Sequence, residues 1–152
     1  MATNGNMLVE STSTTDELIY IQGTFTPTVT LVGGAGNTVP VYSTNQGRYT
    51  RVGNRVFVEV NLAGDGGAEG AGSGTVNVAL PITASASVSQ IMGTGVATNS
   101  GTDYILRAYI TGSATTIIVN YFNAAAHSIV AFTGDEQNNT TRQIVLTFAY
   151  EV

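Results

Sequence analysis

Residues 55–62 and 144–150 alternate so strictly between core-forming and solvent-tolerant side chains that extended chain is the only regular structure that sorts them. In the first segment Val56, Val58, Val60 and Leu62 fall on one face, and Arg55, Phe57, Glu59 and Asn61 on the other. In the second, Ile144, Leu146, Phe148 and Tyr150 oppose Val145, Thr147, Ala149 and Glu151. Successive side chains of a strand point to opposite faces, so each segment offers one apolar face to a core. No segment carries a convincing helical period, and the chain is expected to be all-β.

Short strands are expected at 24–32, 38–42, 48–52, 55–63, 75–80, 87–97, 104–111, 115–122, 128–133 and 143–152. Between them lie Gly33-Gly34-Ala35-Gly36-Asn37, Gly64-Asp65-Gly66-Gly67, Asn99-Ser100-Gly101, Gly112-Ser113 and Thr133-Gly134-Asp135-Glu136. These residues tolerate positive φ or bond their own backbone, which is what tight turns require. Many short strands at such spacing predict a sandwich or barrel. Pro27 and Pro40 fall inside two of the strands and, lacking an N–H, belong at an edge or a bulge.

The segment Gly47-Arg48-Tyr49-Thr50-Arg51-Val52-Gly53-Asn54-Arg55-Val56 also carries a resemblance. It is preceded by Gly23-Thr24-Phe25-Thr26-Pro27-Thr28-Val29-Thr30 and followed by a glycine-rich loop, the Leu80-Pro81 strand end and an aromatic last strand. The whole, residues 23–152, resembles a domain common in bacteriophage virion proteins. The resemblance implies an antiparallel β-sandwich of jelly-roll type, usually a homotrimer, borne on a tail fibre, a tailspike or a capsid surface. Its implied partners are identical copies and the major capsid protein or another virion protein, on a particle assembled in the host cytoplasm.

With 152 residues and 43% hydrophobic content the chain suits one domain, which would remove about 70% of the unfolded surface from water. Only 10% of residues are charged, none is lysine, and the formal charge is −5. A phosphate backbone would be repelled, so nucleic acid is not an expected partner. Cysteine is absent, which removes disulfides, thiolate metal sites and a thiol nucleophile together. No apolar run reaches the ~20 residues of a membrane helix and the N-terminus lacks a signal-peptide pattern, so neither membrane insertion nor export is expected.

Residues 1–22 are set apart by the polar tract Ser11-Thr12-Ser13-Thr14-Thr15, flanked by Met7-Leu8-Val9 and Leu18-Ile19-Tyr20-Ile21. They are expected to form an extended N-terminal arm, with those apolar clusters anchored on a neighbouring subunit or a capsid shell. The remaining 23–152 form the sandwich. Both faces of the last strand are largely uncharged, and 115–122 is similarly two-sided, so each needs a second cover. That cover is either a loop of the same chain or another copy. Val145, Ile117 and Val119 are accordingly candidate subunit contacts. Arg48, Arg51 and Arg55 crowd three of five positive charges around one turn, and with Tyr49 they are candidate interface residues, the guanidinium fork suiting bidentate pairing with carboxylates such as Glu59, Asp103 or Asp135.

Catalytic chemistry finds little support. His127, the single histidine, lies in Asn123-Ala124-Ala125-Ala126-His127-Ser128 without a nearby acid or nucleophile motif. Glycoside hydrolysis needs two facing carboxylates, and nothing in the sequence selects a pair. Asp65 and Glu69 in the loop at 64–74 could help ligate Ca²⁺, but no ordered ligand series is present, and no metal or cofactor is expected. Tyr42, Tyr49, Tyr104, Tyr109 and Tyr121 could stack on sugars or fill the rim of a sandwich. The expected function is a trimeric capsid decoration protein. The alternative is the tip of a tail fibre that recognises host glycan.

Overall fold

Val52-Gly53-Asn54-Arg55 turns the chain back on itself because Gly53 sits at φ 59°, a conformation that L side chains rarely adopt and that matches the twist of a two-residue hairpin. The strands it joins, β3 (Thr44–Val52) and β4 (Arg55–Ala63), pair from Val52↔Arg55 to Thr44↔Ala63. Val56, Val58, Val60 and Leu62 are all buried, each worth about 1.5–3 kcal/mol of hydrophobic stabilisation.

A computed structural model of the protein describes residues 19–64, 68–86 and 90–152. The other strands are β1 (Tyr20–Phe25), β2 (Val29–Val32), β5 (Thr75–Ala79), β6 (Gln90–Asn99), β7 (Thr102–Ile110), β8 (Thr116–Asn123), β9 (Ser128–Ala131) and β10 (Arg142–Glu151), with one 3₁₀ turn at Gly134–Gln137. All ladders are antiparallel. The spatial order is β1-β3-β4-β10-β6-β7-β8-β5-β2, and β9 pairs with the second half of β8.

The strands thus hydrogen-bond as one sheet, and the expected pair of facing jelly-roll sheets is not what the ladders trace. Its curl follows from the chain: β1 and β2 occupy opposite ends of the order, yet only Thr26, Pro27 and Thr28 join them. That link reaches at most about 14 Å, so the sheet must wrap until its ends approach. The single strand expected at 24–32 is therefore two, split around buried Pro27. Residues 38–42 form no strand, only the isolated bridge Thr38↔Ala71, and Pro40 lies outside the ladders.

The inner face of the curl holds one core, centred on Leu62, Leu106, Ile117, Phe132, Leu146 and Tyr150, all fully buried. Tyr104, Tyr121 and Phe132 meet edge to face within it, with centroids 5.1–6.0 Å apart. Burial, and then the charge of Glu136, pushes the Tyr104 and Tyr121 hydroxyls above their ordinary range.

Candidate interaction surface

The residues that carry the phage-like words form a lock between β1 and β3. Gly23 lies opposite Tyr49, and Phe25 opposite Gly47. Each ring lies over the facing glycine: a Cβ on Gly23 would stand 2.6 Å from the Tyr49 ring, and one on Gly47 would collide with that of Phe25. The two rings meet edge to face at 6.4 Å. Glycine leaves a strand without a side chain to pack, and an aromatic across the ladder restores that contact.

On the outer face of the same strands runs a trough of about 890 Å³, lined among others by Thr24, Arg48, Phe57, Glu59 and Thr147. A second hollow of about 280 Å³ continues it past Gln46 and Val145, sharing Arg48, Glu59 and Thr147. Arg48 faces Glu59 across the ladder, and Glu59 faces Thr147. Arg55 lies 5.8 Å from the Phe57 ring, a cation–π geometry, and Phe57 keeps 48% of its surface exposed. Arg51 is spent locally, its Nε donating to the Gly53 carbonyl at 2.7 Å. Of the three clustered arginines, Arg48 and Arg55 are therefore the ones presented outward.

The expected interface residues divide. Val145 is 42% exposed on the outer face of β10, and no loop of the described residues covers that face there. Ile117 and Val119 are a correction: both are fully buried in the chain's own core and leave no surface for a partner. Tyr49 is half-buried against Gly23. Ile19, Tyr20 and Ile21 are exposed, but they belong to the edge of the sheet: Tyr20 and Ile21 pair with Val52 and Arg51, and the Ile19 carbonyl accepts the Gly53 N–H at 2.8 Å. The boundary drawn at residue 22 falls inside β1. Met7, Leu8, Val9 and Leu18 lie outside the described residues.

At one end of the curl sits a polar cluster that sequence reasoning missed. Arg142 is 1% exposed, and its guanidinium donates to the carbonyls of Asn139 at 2.6 Å, Ala68 at 2.7 Å and Val41. The ring of Tyr42 lies 5.4 Å from it. The Tyr42 hydroxyl donates at 2.9 Å to Gln137, itself fully buried. Burial drives the Tyr42 pKa well above the phenol range, against the opposing charge of Arg142. One arginine thus ties three loops together. The available signal was parity, since Arg142 stands two residues before Ile144 on the apolar face of β10.

The remaining candidates are placed plainly. His127 is exposed at φ 51° in the β8–β9 turn, where the Asn123 side chain accepts the Ala125 and Ala126 N–H groups. Asp103 accepts from Thr98, Asp135 from the Gly72 N–H, and Glu136 from Thr133 and Tyr121. Among the described residues no group of three or more His, Cys, Asp and Glu could hold a metal ion, and Asp65 lies outside them. The described part of the glycine loop is stitched down, Ala71 pairing with Thr38 and Gly70 donating to Gln137. No described helix is long and apolar enough to cross a membrane. Of the tyrosines proposed for sugars, Tyr42, Tyr49, Tyr104 and Tyr121 turn into the core or its rim, and Tyr109 does not.

One solved structure follows this architecture. The crystal structure of the Dettilon tailspike protein superposes on 87% of the chain with a TM-score of 0.59 and 18% identity. The fold is one that a phage tailspike contains. The match spans 24% of that tailspike chain, so the likeness is to one segment of a much longer protein. No protein-family description and no curated protein sequence matches the chain.

Proposed function

We propose that this chain is a structural module of a bacteriophage particle that works as a homotrimer on a tail appendage. The observation that carries the reading is the fold shared with a tailspike segment, together with the phage-like words at 23–30 and 47–56, which build the aromatic-glycine lock. A non-enzymatic role is supported by the use made of Asp103, Asp135, Glu136 and His127, which serve turns and neighbouring hydroxyls. Glycan recognition loses its main support, because four of the five candidate tyrosines face inward.

A second reading, a decoration protein seated on the major capsid protein, is favoured by one observation. Ile19, Tyr20 and Ile21 keep 42%, 56% and 43% of their surface exposed at the open edge of β1. Electron microscopy of intact particles labelled with antibody to this chain tests both. Label on the tail is expected, label over the head lattice selects the decoration reading, and unlabelled particles overturn the virion assignment.

A further inference from the structure

We propose that copies of this chain pack against one another through a row of side chains crossing the outer face of the sheet: Val145, Val96, Ile105, Phe122 and Ile129. The inference rests on the homotrimer reading and names the surface that closes it. Val145 faces Val96, Val96 faces Ile105, and Phe122 faces Ile129 in the ladder. Ile105 and Phe122 stand opposite each other one step beyond the pair Leu106↔Tyr121. Five adjacent strands therefore contribute one residue each to a line about 19 Å long. Their exposures are 42%, 49%, 73%, 52% and 43% in the same order. Scattered apolar residues are normal on a surface, whereas a contiguous row marks a contact.

Charge selects an identical copy as the occupant. The chain as a whole carries −5, yet the outer face sets Arg48, Arg55 and Arg107 against Glu59, Asp103 and Glu151 and so balances. A strongly acidic or basic partner would call for a face of one sign. The balance is also polarised about the row. On β7, Arg107 lies two residues to one side of Ile105 and Asp103 two residues to the other, each roughly 7 Å away. Arg107 is unfinished: its Nε is buried without a partner, and its guanidinium makes only a ring contact with Tyr109, at 6.0 Å, among the described residues. Asp103 accepts the Thr98 hydroxyl through Oδ1 at 2.8 Å, which leaves Oδ2 for a second donor. A threefold axis lying along the row would bring the Arg107 side of each copy to the Asp103 side of the next, the head-to-tail contact of a closed ring.

The test is the native mass of the full chain and its variants in solution, with the β-sheet circular dichroism spectrum as a folding control. The wild type is expected at the mass of three copies. Ile105→Asp is expected to stay folded, because Ile105 is exposed in the single chain, and to weaken assembly roughly a hundredfold. Any other wild-type mass overturns the homotrimer reading and this inference with it. A wild-type trimer joined by an equally trimeric Ile105→Asp overturns this inference alone. If Ile105→Asp loses its β spectrum, the charge pair decides: Arg107→Asp and Asp103→Arg should each weaken the trimer, and the doubly exchanged chain should recover it. Absence of that recovery overturns the head-to-tail pairing.

Discussion

Arg142 and Arg107 share a chemistry and differ in how their surroundings complete it. Arg142, fully buried, finds three main-chain carbonyls from three loops and the face of Tyr42. Both leave Nε without a partner, but Arg107, half-buried on the outer face, makes no hydrogen bond among the described residues and finds only one aromatic ring. A buried cation without hydrogen bonds is costly, so a guanidinium whose terminal nitrogens are held by three carbonyls of its own chain is a fastener, even with its Nε unpartnered, while one with no hydrogen bond among the described residues, beside exposed apolar side chains, has donors to offer a neighbour. The end of the curl is finished within the single chain. Its outer face is not.

Removing the fastener is expected to give the largest loss. Arg142→Ala strips donors from three carbonyls inside the protein and should lower stability by about 3–5 kcal/mol, measured by urea unfolding. Arg142→Lys should recover less than half of this, because one ammonium cannot reproduce the planar fork that reaches Asn139, Ala68 and Val41 together. A loss below about 1 kcal/mol in the alanine variant would show that the loops hold themselves.

Tyr42 tests the same cluster more gently. Tyr42→Phe keeps the ring under Arg142 and removes the hydroxyl that donates to buried Gln137, leaving Oε1 of that amide without its donor. The expected cost is about 1–3 kcal/mol. An unchanged denaturation midpoint would mean that Gln137 turns to another partner.

Local pattern revealed much of the fold and little of this cluster. The β3–β4 hairpin and the parity of β10 follow from alternation and one glycine, both local properties. Pro27 was visible, but not that the residues before and after it would sit at opposite ends of one sheet, because strand order is a long-range property. Residues 38–42 are expected as a strand, yet Tyr42 is drawn inward by Gln137 and Arg142, which lie 95 and 100 positions away. Ile117 and Val119 looked like a surplus apolar face, although they supply the core itself. The outer row was hidden for the opposite reason, since Val96, Ile105 and Ile129 become neighbours only once the register is known.

A pH titration separates the finished interior from the open face by a smaller effect. Burial pushes the Tyr150 hydroxyl up to about 12, against the hydrogen bond its oxygen accepts from the Ile82 N–H. A phenol whose folded value exceeds its unfolded one holds its proton more tightly in the native state, so its contribution is complete below pH 10 and is lost as pH climbs through about 12. Stability should stay level through neutral and mildly alkaline pH and then fall across that window. Tyr150→Phe should flatten part of the fall. An identical alkaline decline in the phenylalanine variant would assign it to other groups, with Tyr42 first among them because burial raises it in the same direction.

The smallest expected effect sharpens the contrast between faces most directly, because it compares neighbours on one strand. Val145→Thr keeps a β-branched side chain on β10 and replaces one methyl by a hydroxyl on a residue that is 42% exposed, so the single chain should change by no more than about 0.5 kcal/mol. Leu146→Ala, one position along, empties a fully buried site and should cost about 2–5 kcal/mol. Urea unfolding at low protein concentration, where single chains dominate, reads the first quantity. Repeating it at high concentration adds whatever the outer row contributes between copies, since assembly stabilises by mass action. Val145→Thr should therefore be silent in dilute solution and visible when concentrated, whereas Leu146→Ala should be visible in both. If concentration makes no difference to Val145→Thr, the outer face of β10 lies outside the contact and the row must be completed from β6 to β9 alone.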